Sequence, residues 1–206
     1  MQKKLYFVRH GETEYNRLKI VQGKGVNAPL NETGTEQAAA MYEHYKHLPI
    51  EVVFTSTLIR THQTVERFID KAGRWVVSPA IDEMGWGHTE GQKSSPEMIE
   101  KYRKMIDAWQ SGNLHAKLDG GESAHELSTR LKKFLNEIVR RPEKSMLICT
   151  HGRSLRCLMC LWKGEPMAAM EKYDHHNTGF FEVHWDGSFK VERENDISHL
   201  RRIPVG

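Results

Sequence analysis

Two stretches of the chain share one chemical phrase: Val8-Arg9-His10-Gly11-Glu12-Thr13 and Cys149-Thr150-His151-Gly152-Arg153-Ser154. Each follows a short apolar run of strand type, so each sets a histidine at a strand's carboxyl end. The glycine that follows lets backbone approach a ligand closely, and the N–H groups of a following helix would aim at the same spot. That geometry invites an anion. Arg9 adds a planar fork of donors matched to phosphate or carboxylate, and Arg60, near the start of a helix after another strand, adds a second. One His-Gly pair is ordinarily a turn with a surface histidine, and one arginine at a helix start is ordinarily a solvated charge. Recurrence at two strand ends makes these four residues a candidate anion site.

The elements that must hold them alternate along the chain. Strands are expected at Lys4–Val8, Val52–Thr55, Arg74–Val77, Met146–Thr150, Phe180–Trp185 and Lys190–Glu194, all short and mostly rich in β-branched or aromatic residues. Helices are expected at Glu32–Tyr45, Leu58–Lys71, Pro96–Trp109 and Ser154–Trp162, most of them after a capping residue. Ser123-Ala124-His125-Glu126 has the pattern of a capping box and opens a further helix to about Arg140, before Pro142. Strands separated by helices imply crossover connections and a mainly parallel sheet covered on both faces, a three-layer α/β/α sandwich. Ligands then belong at the carboxyl ends of the strands. Asp186-Gly187-Ser188 joins the last two strands tightly, so an antiparallel hairpin should sit at one edge and make the sheet mixed.

With 206 residues, no linker and no repeat, the chain is expected to form one domain, residues 1–206. Its 38% hydrophobic content and mean hydropathy of -0.63 exclude a membrane-embedded chain, and no apolar run is long enough for a signal peptide or a span. A net charge of +3 is too small to suggest nucleic-acid binding, and twelve histidines raise that charge as pH falls through ~6.5. Three cysteines within one segment, Cys149, Cys157 and Cys160, form no disulfide framework, so a cytoplasmic location is expected.

The sequence resembles the histidine phosphatases, the phosphoglycerate mutase-like superfamily. Leu5 to Asn16 is similar to the family's opening signature and Ser56 to Thr64 to its second block. Further matches are Pro29-Leu30-Asn31-Glu32-Thr33-Gly34 with Gln37-Ala38, Glu83 within Asp82–Gly87, Glu90-Gly91, Gly120-Gly121-Glu122-Ser123 and Thr150-His151-Gly152. They span nearly the whole chain in order. The resemblance implies that His10 is the nucleophile that becomes phosphohistidine and that Arg9, Arg60 and His151 bind the phosphoryl oxygens. It makes Glu83 the proton donor. Asn16, Gln22, Gly23 and Gly152 are further phosphate contacts by the same resemblance. It also implies a phosphoglycerate mutase-like sandwich with a small helical cap, residues 84–122 or thereabouts.

The chemistry agrees with those roles. A neutral imidazole attacks phosphorus without an activating base if its other nitrogen keeps a proton held by a hydrogen bond, though the acceptor is not legible in the sequence. Cationic forks around the phosphoryl oxygens stabilise transfer, so no metal and no cofactor is expected. Asn27 departs from an acidic residue frequent in the family before Pro-Leu, and Thr150 from the commoner serine before His-Gly. The cap lacks the long insertion of cofactor-dependent mutases, which favours hydrolysis of a small phosphate ester over mutase chemistry.

Mutase activity, and an idle phospho-ligand binder, are the alternatives. A binder needs the cations but neither nucleophile nor acid. Cys157 and Cys160 read as core rather than as a redox or zinc pair, and His175-His176 as a surface pair rather than a metal site or pocket rim. Met84, Trp86, Met98, Met105, Ile106 and Trp109 read as packing of the cap helix, the alternative being contact with an apolar leaving group. For Trp162 and Phe180-Phe181, core and homodimer interface both stay open.

Overall fold

The computed structural model describes residues 2–201. Among them, six strands, β1 (Lys3–Arg9), β2 (Val52–Thr55), β3 (Trp75–Val77), β4 (Ser145–Thr150), β5 (Phe180–Trp185) and β6 (Phe189–Asp196), form one sheet. Its spatial order is β3-β2-β4-β1-β5-β6. The first four neighbours run parallel, and β5 and β6 join antiparallel at the β1 side, so the sheet is mixed as expected.

Helices α1 (Glu14–Arg17), α2 (Glu32–Tyr45), α3 (Ile59–Ala72), α4 (Pro96–Gln110), α5 (Ala124–Ile138) and α6 (Gly152–Lys163) fill the connections. Ser123 and Glu126 form the reciprocal capping box at the start of α5. Leu58 stands outside α3 with extended backbone and no side-chain cap of its own; Asn27 supplies one from a distant loop, its Oδ1 accepting from the Ile59 amide at 2.7 Å. The departure at Asn27 thus has a structural use.

Strand alternation sorts the core into two layers. Leu5 and Phe7 of β1, Val52 and Phe54 of β2, and Met146 and Ile148 of β4 pack with Leu127, Leu131 and Phe134 of α5 and with Leu155 and Leu158 of α6. Tyr6, Val8, Val53, Leu147 and Cys149 face the other way, against Met41 and Tyr45 of α2 and Val65 and Phe68 of α3. Trp162, Phe180 and Phe181 are buried in these layers, which resolves their two readings in favour of core.

Candidate active site

The register of β1 and β4 pairs Arg9 with Thr150, so His10 and His151 stand side by side one residue past the paired strands. His10 N donates to the Thr150 carbonyl at 3.0 Å, and the two imidazole centroids are 5.1 Å apart. Both rings are buried. The departure at Thr150 leaves this pairing intact, its hydroxyl turning away to donate to the Ile81 carbonyl at 2.8 Å.

His10 Nδ1 lies 2.7 Å from the Gly11 carbonyl, which can only accept, so Nδ1 carries the proton and Nε2 keeps its lone pair. Burial, then the charges of Arg60 and Arg9, push the His10 pKa well below the usual histidine value, so the ring is neutral near pH 7. Gly11 N donates to Thr64 Oγ1 at 2.9 Å, and Asn177 Nδ2 to the His10 carbonyl at 2.9 Å, fixing the backbone on both sides.

Arg60 is fully buried and spends its donors within the chain: Nη1 on the Val26 carbonyl at 2.6 Å, Nη2 on the Gly23 carbonyl at 3.3 Å and Nε on His151 Nδ1 at 3.3 Å. His151 Nε2 pairs with Ser56 Oγ at 2.8 Å. Burial, offset by Glu83, lowers the Arg60 pKa to about 10, still far above neutrality.

Glu83 does not stand free. Its Oε1 accepts from Met84 N at 2.8 Å and Ser154 N at 3.3 Å, and Oε2 from Arg153 N at 3.2 Å. Two of the amides at the start of α6 that the sequence aims at an external anion, those of Arg153 and Ser154, are therefore taken up by this carboxylate. The glycines also differ from expectation. A Cβ on Gly11 would lie 2.6 Å from the Gly34 carbonyl, and one on Gly152 would lie 2.8 Å from the His175 ring, so both are close approaches within the protein.

An open cavity of about 300 Å³ is lined by Arg9, Glu83 and Gly152 with Arg153, Arg156 and His175, and reaches Trp86 and Tyr102. Among the described residues, six buried side-chain polar atoms lack a partner, and three of them belong to this cavity: Arg9 Nε, Arg156 Nε and His175 Nδ1. Arg9 Nη1 donates to the His175 carbonyl at 2.8 Å. Arg9 and Arg156 thus bring two guanidinium groups to the wall of an open hollow, a charge arrangement that suits a phosphate.

The expected set divides accordingly. Arg9, Glu83 and Gly152 line the cavity, while His10, Arg60 and His151 are buried and are not among its lining residues. Asn16 and Gln22 converge on Thr13 instead. Asn16 Oδ1 accepts from Thr13 N at 3.1 Å in the cap of α1, and Gln22 Nε2 donates to Thr13 Oγ1 at 3.0 Å. Gly23 offers its carbonyl to Arg60, and a Cβ there would strike Glu90. Glu90 accepts from Gly25 N and Trp86 N, both at 2.7 Å, and so ties this loop to the cavity wall.

Residues 5–197 match the family described as the histidine phosphatase superfamily (branch 1). The chain belongs to that superfamily. Among its relatives, Fructose-2,6-bisphosphatase TIGAR B of Danio rerio is 35% identical over 73% of this chain and 57% of its own length, so the match spans less than two thirds of that protein. "Probable phosphoglycerate mutase GpmB" of Proteus mirabilis is 32% identical over 98% of this chain and 96% of its own. The solved structure of Bacillus stearothermophilus YhfR superposes with a TM-score of 0.84 at 27% identity, covering 97% of this histidine phosphatase chain and all of the other.

Two side chains of this histidine phosphatase reach the cavity without having been singled out as site residues. His175, read as a surface histidine, is driven to a pKa of about 2 by burial and by the charges of Arg9 and Arg156. Arg156 lies one turn into α6 and shares Glu171 with Arg153, pairing with it at 2.5 Å. The cysteines agree with the core reading: all three are free and buried, and burial raises each thiol pKa.

Proposed function

We propose that the protein is a phosphomonoester hydrolase that works through a phosphohistidine at His10, acts on a small phosphorylated metabolite and needs no metal ion. The observation that carries this reading is the 2.7 Å contact of His10 Nδ1 with the Gly11 carbonyl, which leaves Nε2 as a neutral nucleophile beside Arg9, Arg60 and His151. In the first step Nε2 attacks phosphorus, the ester P–O bond breaks, and Glu83 gives its proton to the departing alkoxide. In the second, Glu83 takes a proton from water as the water oxygen attacks phosphorus, the N–P bond breaks and inorganic phosphate leaves. Arg9 and the buried positive charge of Arg60 offset the charge on the phosphoryl oxygens throughout. To donate to a phosphoryl oxygen, His151 exchanges its Ser56 contact for the ligand. Gly152 contributes its N–H, while Asn16, Gln22 and Gly23 act one contact further out, through Thr13 and Arg60.

The rest of the reading is a single domain over 1–206 with residues 84–122 as its cap, a cytoplasmic location in keeping with three free thiols, and no nucleic-acid partner. No helix among the described residues is long and apolar enough to cross a membrane. The residues that suggested a homodimer are core, so that assembly now rests on nothing but measurement by sedimentation.

Hydrolysis of an aryl phosphate in the presence of a chelator tests the reading. Turnover that survives chelation, with acid-labile phosphate trapped on wild type but not on His10→Ala, is expected. Unchanged turnover by His10→Ala would sink the mechanism. The 32% identity to a protein named as a phosphoglycerate mutase supports a second reading, phosphoryl transfer between positions of phosphoglycerate. Wild type that isomerises 3-phosphoglycerate but leaves the aryl ester intact would select it. Inactivity in both assays would leave a binding protein.

A further inference from the structure

A second cavity, of about 230 Å³, adjoins the first and shares Trp86 and Tyr102 with it. Its wall is made chiefly by Val21, Trp86, Met98, Ile99, Tyr102 and Leu118. Helix α4 explains why it exists. Met105 and Trp109, toward its C-terminus, turn into the core, where Trp109 Nε1 donates to the Ala116 carbonyl at 2.8 Å. Met98 and Tyr102 continue the same stripe at helical spacing toward the N-terminus, and there the stripe faces open space instead of a partner element. Ile99 beside them is 58% exposed.

The shared wall is held firmly. The Trp86 and Tyr102 rings lie 5.7 Å apart, Arg153 sits over both, and its guanidinium donates to the Tyr102 hydroxyl and pairs with Glu171. Glu90 holds the Trp86 amide. A site prepared in this way selects by shape and apolar contact. An apolar cavity of about 150 Å³ accepts benzene, so this one has room for one ring with a short alkyl link.

We propose that this cavity is the leaving-group subsite, and that the enzyme prefers phosphomonoesters whose alcohol carries an apolar body of about one ring. The proposal rests on the phosphatase reading above. It corrects the assignment of Trp86 and Met98 to packing alone, while Met84, Met105, Ile106 and Trp109 remain core residues.

The test compares ethyl phosphate with 3-phenylpropyl phosphate. Both release a primary alcohol of similar basicity, so a difference in kcat/KM reports contact with the chain rather than bond strength. Wild type should favour the phenylpropyl ester by about tenfold or more. Ile99→Lys puts a charge at the mouth from an exposed position, and Met98→Trp fills the cavity. Each should bring the ratio to within about threefold. Because the ratio is taken on one variant, loss of folded enzyme cancels.

Equal kcat/KM for the two esters in wild type, or a preference that survives both variants, would overturn the proposal and leave the phosphatase reading standing. Failure of wild type on every ester would remove that reading instead. In that event calorimetry with ethylphosphonate and 3-phenylpropylphosphonate still decides, since equal affinities would overturn the subsite independently of turnover. A concentration-dependent dimer abolished by Ile99→Lys, without ester preference, would assign the face to a second copy of the chain and also overturn it.

Discussion

Arg60 donates through Nε to Nδ1 of His151 at 3.3 Å, and this contact fixes which nitrogen of His151 carries a proton. A guanidinium N–H can only donate, so Nδ1 accepts and Nε2–H is left pointing at Ser56 Oγ. Burial and the charge of Arg60 then push the His151 pKa well below its usual value, keeping the ring neutral and its single N–H in a defined direction. One buried cation thereby orients a neutral donor that has no charge of its own to steer it.

Arg60→Lys should therefore cost more than a charge-preserving exchange suggests. An ammonium cannot reach Val26, Gly23 and His151 together, and burying it with fewer partners is unfavourable. We expect kcat/KM for an aryl phosphate to fall about 100-fold and unfolding stability by about 2 kcal/mol, read from steady-state kinetics and urea titration. A variant within about threefold of wild type would show that the fork is dispensable.

Glu83→Gln separates the proton donor from a structural cap. If Glu83 delivers the leaving-group proton, the loss in kcat should be about 10²–10⁴ for an alkyl phosphate and much smaller for 4-nitrophenyl phosphate, whose phenolate departs without help. Equal losses on both esters would mean that Glu83 acts only by holding the Arg153 and Ser154 amides.

His175 makes stability depend on pH in a predictable sense. Its folded pKa of about 2 lies below the unfolded value of 6.5, so below that value the unfolded chain binds more protons than the folded one. The contribution is complete above pH ~6.5 and is lost progressively as pH falls toward about 2, at up to ~1.4 kcal/mol per unit. Between pH 7.5 and 5.5, wild type should lose about 1 kcal/mol more than His175→Asn in urea unfolding. Parallel curves would assign the acid sensitivity elsewhere.

Gly34→Ala tests the close approach to the loop that follows His10. A Cβ at Gly34 would lie 2.0 Å from the Glu12 carbonyl oxygen, an overlap that only backbone movement relieves. Destabilisation of roughly 2–4 kcal/mol is expected, against about 1 kcal/mol for Gly164→Ala, where φ is positive but no atom is near. Similar thermal midpoints for the two variants would contradict the assignment.

Most of the frame was legible because hydrophobic period and capping chemistry act locally. All six strands were anticipated, α2 at its observed bounds, and α5 from Ser123 and Glu126. The sequence placed the start of α6 two residues late, because His151-Gly152 carries no capping side chain and the cap comes from Glu83, about 70 residues away. Helix α1 escaped notice because its capping box uses Asn16 where glutamate or glutamine is the usual signal. Arg156 and His175 escaped for another reason. One projects from a helix that reads as core and the other from a loop before an antiparallel strand, and only tertiary assembly brings them beside Arg9. The acceptor for His10 was hidden because it is a backbone carbonyl.

The pairing of Arg9 with Thr150 divides the chain by its tolerance of changes in length. Deleting one residue from β1 would carry His10 back about 3.3 Å along the strand and turn its side chain to the opposite face, away from His151. The loops around α4 are held instead by isolated backbone contacts, such as the Trp86–Gly121 bridge and the Leu114 and Ala116 carbonyls, and not by a ladder of paired strands. A change of length at 111–119 would disturb those contacts and the cavity wall at Leu118, while the spacing from Lys4 to His10 must be kept residue for residue.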